Sequence, residues 1–336
     1  MKVETLTMLK QFFDTYIQVS KNSEAPLRRE LINFEQAINR QAAKNKLFTK
    51  ENIRLAIGYW SGLLAISGAY EQQTPELAKT IGYVADERFP LRSLPDIISI
   101  LQHGHRVKVY YTDQSDELMK AVRQILIDAE DDIVDQFEIT ETFISNPDAI
   151  IIDEGERELS VWTDYLKKFP HLIRKRKTSV AVLNGNEEIE QIEQLSRFIY
   201  QFKGNSDFSV KKIFAPKDYD WANFFPHMEQ YASLMQDNQY ANSYEYNRSV
   251  FLLNRIEHWD NGFSLFTVNE ELFAPMGVVF YEEYESTAQL DKLLSSHKDD
   301  VKRIIHVNEI GRSDPYFSDK CDFPGTQDMK DFLCNL

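Results

Sequence analysis

Four places in this 336-residue sequence gather residue types that can do chemistry. The first is Lys203-Gly204-Asn205-Ser206-Asp207, where a serine and a carboxylate follow a glycine. A loop between a helix and a strand is where α/β enzymes place reactive groups. A serine hydroxyl needs a positioned base, and adjacent side chains such as Ser206 and Asp207 rarely point toward each other usefully. Asp207 on its own is a weakly basic carboxylate and a poor nucleophile. The second place is His103-Gly104-His105. In an extended chain its imidazoles would share a face, as a metal pair requires, but no third ligand lies near in sequence and no metal site is expected. The third is Arg174-Lys175-Arg176-Lys177, the only dense basic run, which suits either phosphate or a solvated connection between domains. The fourth is the acidic turn Asp153-Glu154-Gly155-Glu156-Arg157-Glu158, whose carboxylates suit a helix N-terminus.

The elements that must position these groups follow from hydrophobic spacing. Val180-Ala181-Val182-Leu183 is an apolar run of strand length, broken by Gly185 and Asn186. Acids at Glu187, Glu188 and Glu190 then open a helix whose apolar face is Ile189, Ile192, Leu195, Phe198 and Ile199. Residues 1–70 read as helices, with stripes such as Leu6, Leu9, Phe13, Tyr16 and Leu27, Leu31, Phe34, Ile38 that are core. From Thr80 the pattern changes to strands at 81–85, 107–111 and 148–152 with helices at 96–101 and 116–129 between them, the alternation of a βαβ layer. Trp259-Asp260-Asn261-Gly262-Phe263 signals a hairpin, and Pro275 to Tyr281 a buried strand.

Composition bounds the rest. With 43% hydrophobic and 27% charged residues the chain is an ordinary globular protein, long enough for two domains. Its 38 basic and 53 acidic residues leave a net charge of −15, which opposes nucleic acid and anionic membrane as partners. Twelve glycines, about half the usual share, leave few loops through which a phosphate can approach the backbone. No apolar run has the length of a signal peptide or a membrane span. Two cysteines, Cys321 and Cys334, make no disulfide framework, so a reducing, cytosolic location is expected.

The stretch from Thr178 to Trp221 resembles the acyl-CoA reductases related to the fatty-acid reductase of bacterial bioluminescence, a branch of the aldehyde dehydrogenase superfamily. Phe48 to Leu64, Phe169 to Thr178, Tyr244 to Asn254 and Trp259 to Phe263 are also similar, so the likeness runs from about Phe48 to Leu333. It implies an α/β, aldehyde-dehydrogenase-like fold. That fold has an N-terminal helical segment (1–70), a Rossmann-like cofactor-type domain (71–178, with 301–336 returning to it) and an α/β catalytic-type domain (179–300). It also implies NADPH as cofactor, a fatty acyl-CoA as substrate and a cysteine nucleophile in the loop after the 189–199 helix. Matching Val210 to Phe214 with the segment after that cysteine places the nucleophile position on Asp207. In the family the cofactor turns carry glycines and amides; this chain has Asp86, Glu87 and Ser93 in one, and Gly155 among acids in the other. Arg174 and Lys175 are the remaining candidates for holding cofactor phosphate. The resemblance therefore implies a divergent, noncatalytic reductase-like protein that binds a ligand such as acyl-CoA or another protein, with a homo-oligomer open. An active NADPH-dependent acyl-CoA reductase is the alternative.

Overall fold

A computed structural model describes residues 1–21, 28–66, 75, 77–85, 88–111, 116–142, 144–153, 163–310 and 327–336. Asp86, Glu87, Glu154 to Glu158 (with Gly155) and Cys321 lie outside the described residues. The chain forms two compact units, Met1–Arg176 with Asp319–Leu336, and Lys177–Ser318.

Unit 1 begins with three helices, α1 (Val3–Lys21), α2 (Arg29–Lys44) and α3 (Lys50–Ile66). Leu6, Leu9, Phe13 and Tyr16 recur at helical spacing and are buried, so α1 turns one apolar stripe inward. Phe34 of α2 meets Phe12 and Tyr16 edge-on, with ring centroids 5.2 and 5.1 Å away. α3 starts at Thr49, whose hydroxyl accepts the Asn52 N–H at 3.1 Å. A sheet follows, built from β1 (Thr80–Ala85), β2 (Arg106–Tyr111), β3 (Phe137–Thr140), β4 (Ala149–Asp153) and β5 (His171–Arg174). Between them run α4 (Leu94–Gln102), α5 (Glu117–Ala129) and the single turns α6 (Ile133–Gln136) and α7 (Thr163–Leu166). The strand order is β3-β2-β1-β4-β5 and all pairs are parallel. The chain thus builds outward from β1 in one direction, then returns to its other side with β4. That reversal makes the carboxyl ends of β1 and β4 the topological switch point of the sheet.

Unit 2 contains β6 (Thr178–Val182), α8 (Ile189–Tyr200), β7 (Val210–Pro216), α9 (Trp221–Phe224) and α10 (Asn238–Asn254). It continues with β8 (Trp259–Asp260), β9 (Leu265–Val268), β10 (Val278–Tyr284), α11 (Thr287–Ser296) and β11 (Val301–His306). Its sheet has the order β11-β6-β7-β10-β9-β8, parallel except for the short β8–β9 hairpin around Gly262. Val180, Val182 and Phe214 pack under Leu290 of α11. The expectation that residues 301–336 return together to the first domain needs correction. β11 pairs with β6, Ile304 beside Val180, because its backbone completes the open edge of that strand. Among the described residues after 300, those at 327–336, which include α12 (Gln327–Cys334), belong to unit 1, where α12 packs on α4. The sequence reading also missed β3 and β5.

Candidate functional site

The loop holding Asp207 is built from both sides. α8 opens on a reciprocal capping box between Glu188 and Gln191 and ends at Tyr200. Phe202, Lys203 and Gly204 then take φ values of 55°, 56° and 66°, three left-handed residues in succession. Gly204 is required there: a Cβ would stand 2.8 Å from the Ile199 carbonyl oxygen. Ser206 to Ser209 forms a turn closed on itself. The Ser209 N–H donates to the Ser206 carbonyl at 2.9 Å, the two hydroxyls lie 3.1 Å apart, and the Phe208 N–H donates to Ser206 Oγ at 3.2 Å. Ser206 is buried and its hydroxyl is bonded to Ser209 and a backbone amide, neither of which is a base. Asp207 is half-buried, and its carbonyl accepts the Ser179 hydroxyl of β6 at 3.2 Å. Phe208 lies under the Arg303 guanidinium, 5.3 Å from its ring centroid.

Three lysines lie in this loop or follow it on β7. Lys203, Lys211 and Lys212 are all buried. Lys203 Nζ donates to Asp237 at 2.6 Å, and the same carboxylate caps α10 by accepting the Tyr240 N–H at 3.0 Å. Against the cost of burial, these donors hold the Asp237 carboxyl below its ordinary range. Lys212 pairs with Glu282 and donates to the Asn269 carbonyl at 2.6 Å. Burial lowers its affinity for the proton, while Glu282 works in the opposite direction. Their signal was present in the sequence: two charges interrupt the strand Val210-Lys211-Lys212-Ile213-Phe214. Behind the loop, Lys203, Gly204, Lys211, Tyr200 and Ser264 bound a cavity of about 10 Å³, room for no more than one water. A wider cleft of about 670 Å³ opens beside Gly185, Glu187, Ile192, Pro216, Tyr219 and Phe224. It lies at the carboxyl ends of β6 and β7, whereas Asp207 precedes β7. One strand length, about 20 Å, therefore separates the cleft from the loop.

The switch point of unit 1 carries a second constellation. Asp153, the last residue of β4, has a side chain that is 0% exposed and forms an ion pair with Arg92. Tyr83 of β1 directs its hydroxyl at both Asp96 (2.9 Å) and Asp153 (3.1 Å). Arg174, at the end of β5, reaches Asp96 with two nitrogens, each at 3.3 Å. Burial pushes the Asp96 carboxyl up; Arg174 opposes that shift and Asp153 adds to it. The Tyr83 hydroxyl is raised far above its ordinary value by burial and by both carboxylates. Ser93 is buried, its hydroxyl 3.1 Å from that of Tyr111. Of the basic run, Arg174 thus serves Asp96, and Lys175 is exposed.

His103 and His105 do not converge on a common point. His103 Nδ1 lies 2.7 Å from the Ser99 carbonyl, Gly104 turns left-handed at φ 77°, and His105 Nε2 faces the Leu333 carbonyl of α12 at 3.4 Å. Among the described residues no cluster of His, Cys, Asp and Glu could hold a metal ion.

No family model and no curated protein matches the sequence. Solved structures do match the fold. An NAD-dependent aldehyde dehydrogenase from Sinorhizobium meliloti aligns with a TM-score of 0.65 at 8% identity, over 92% of this chain and 75% of that one. An oxidoreductase from Marinobacter aquaeolei gives 0.65 at 8%, over 93% and 79%. Aldehyde dehydrogenase 21 from Physcomitrella patens, in complex with the reaction product succinate, gives 0.63 at 9%, over 90% and 78%. The chain has the aldehyde dehydrogenase fold.

Proposed function

We propose that this chain is a noncatalytic, acyl-CoA-reductase-like member of the fold that acts by binding a ligand such as acyl-CoA, or another protein, in the cytosol. The observation that carries the reading is the residue at the nucleophile position. Thioester reduction through an acyl-enzyme needs a thiolate, and the loop presents Asp207 with its neighbouring hydroxyls bonded into the turn. NADPH is the cofactor of the resembled family, and the acidic switch point supports doubt that this chain uses it.

Acylation tests the reading directly. In a Cys321→Ser, Cys334→Ser background, a long-chain acyl-CoA should leave no covalent adduct by intact-mass spectrometry. Adding Asp207→Cys should produce a slow adduct mapping to residues 203–209, with no loss of NADPH absorbance. An adduct at 203–209 in the background protein, or NADPH consumption by the native chain, would replace this reading with that of an active reductase.

A further inference from the structure

We propose that Asp153 is a resident anion: its carboxylate, held by Arg92 and Tyr83, occupies the place of a phosphate at the switch point and closes unit 1 to dinucleotides. The inference extends the noncatalytic reading to the cofactor, but it rests on different residues.

In an open parallel sheet a ligand settles outside the carboxyl ends of the strands where the order reverses, with its phosphates near a helix N-terminus. Here the reversal lies between β1 and β4, and α4 is the helix that follows β1. Three features of this place tell against a bound pyrophosphate. Asp96 sits in the first turn of α4 and is itself buried, so the helix dipole already faces a carboxylate. The Arg92 guanidinium pairs with Asp153, and the Arg174 guanidinium with Asp96, so neither charge awaits a ligand. Tyr83 has one proton to donate, and both carboxylates take up its directions. Among the described residues named here, the two carboxylates and the two guanidiniums balance in charge. A pyrophosphate arriving at Arg92 would have to displace a carboxylate that has no solvent to turn to, with Asp96 beside it.

The balance also says which change should open the site. Asp153→Asn keeps the size and an acceptor for Tyr83 while releasing the Arg92 charge. Inorganic pyrophosphate and NADPH are the probes, read by calorimetric titration and by thermal unfolding of the full chain. Wild type should show no saturable binding of either. Asp153→Asn should bind pyrophosphate saturably, at a concentration at least tenfold below the highest at which wild type shows none, with a dose-dependent rise in melting temperature. Arg92→Gln with Asp153→Asn, which removes the pair together, should lose that gain. Saturable NADPH or pyrophosphate binding by wild type would overturn the proposal, as would a folded Asp153→Asn with no gain. Should Asp153→Asn not fold, the wild-type titrations still decide between the two outcomes. An acyl adduct at 203–209 would overturn the noncatalytic reading and leave this one standing; wild-type pyrophosphate binding would do the reverse.

Discussion

Lys212 carries a charge into a strand where its side chain is 0% exposed, and Glu282 of the neighbouring β10 answers it. Removing one partner of such a pair leaves the other uncompensated, while removing both together is often neutral. Lys212→Met should therefore cost about 3 kcal/mol in urea unfolding, and Lys212→Met with Glu282→Leu should recover most of that loss. Equal stabilities for the single and double variants would show that the pair is not what holds the position. The two chemically telling sites differ in how far the sequence discloses them. The loop around Asp207 is legible as a break between an amphipathic helix and an apolar strand, and Lys211-Lys212 because charges interrupt that strand. The switch-point network is not legible. Tyr83 and Asp153 are 70 residues apart, Arg174 and Asp96 are 78, and no periodicity links them. The pairing of β1 with β4 brings Tyr83 to Asp153, and the pairing of β4 with β5 sets Arg174 beside Asp153.

Asp237 joins two elements with one carboxylate, capping α10 and neutralising Lys203 of the loop after α8. The two roles separate on substitution. Asn caps a helix about as well as Asp, so Asp237→Asn removes only the charge, whereas Asp237→Ala removes the cap as well. Both variants should be destabilised in denaturant titration, Ala by about 1 kcal/mol more than Asn. An Asn variant as stable as wild type would mean that the buried Lys203 gains nothing from its anion. Most elements were legible from spacing: α8 from its apolar face, the β8–β9 hairpin from Asn261-Gly262, and β1, β2 and β4 from their apolar runs. β3 and β5 escaped because Phe-Glu-Ile-Thr and His-Leu-Ile-Arg are four residues long and only partly buried. Their strand identity is conferred by parallel partners, β2 and β4, already in place.

Unit 2 is one continuous piece of chain, whereas unit 1 is completed by α12 after unit 2 has been traversed. Part of that closure titrates. His105 Nδ1 accepts the Lys79 N–H at 3.3 Å, which leaves Nε2 to donate to the Leu333 carbonyl at 3.4 Å. A second proton would cost the Lys79 contact. Burial, with His103 and Lys79, accordingly lowers the His105 pKa below its ordinary 6.5, and the Leu333 carbonyl opposes the shift. The unfolded chain then binds more protons than the folded one below about pH 6.5. This contribution to stability is complete above that pH and is lost as the pH falls through the lower folded value. Urea midpoints should therefore drop from neutral toward about pH 5, and His105→Asn should flatten part of the slope. An unchanged slope would place its origin elsewhere. That β11 belongs beside β6 follows from which strand edge stands open, which no local pattern encodes. The same arrangement sets a waiting time when the chain is made. His105 and Leu333 are 228 residues apart, so at a synthesis rate of 5–20 residues per second α4 stands for roughly 10–50 s without the helix that covers it.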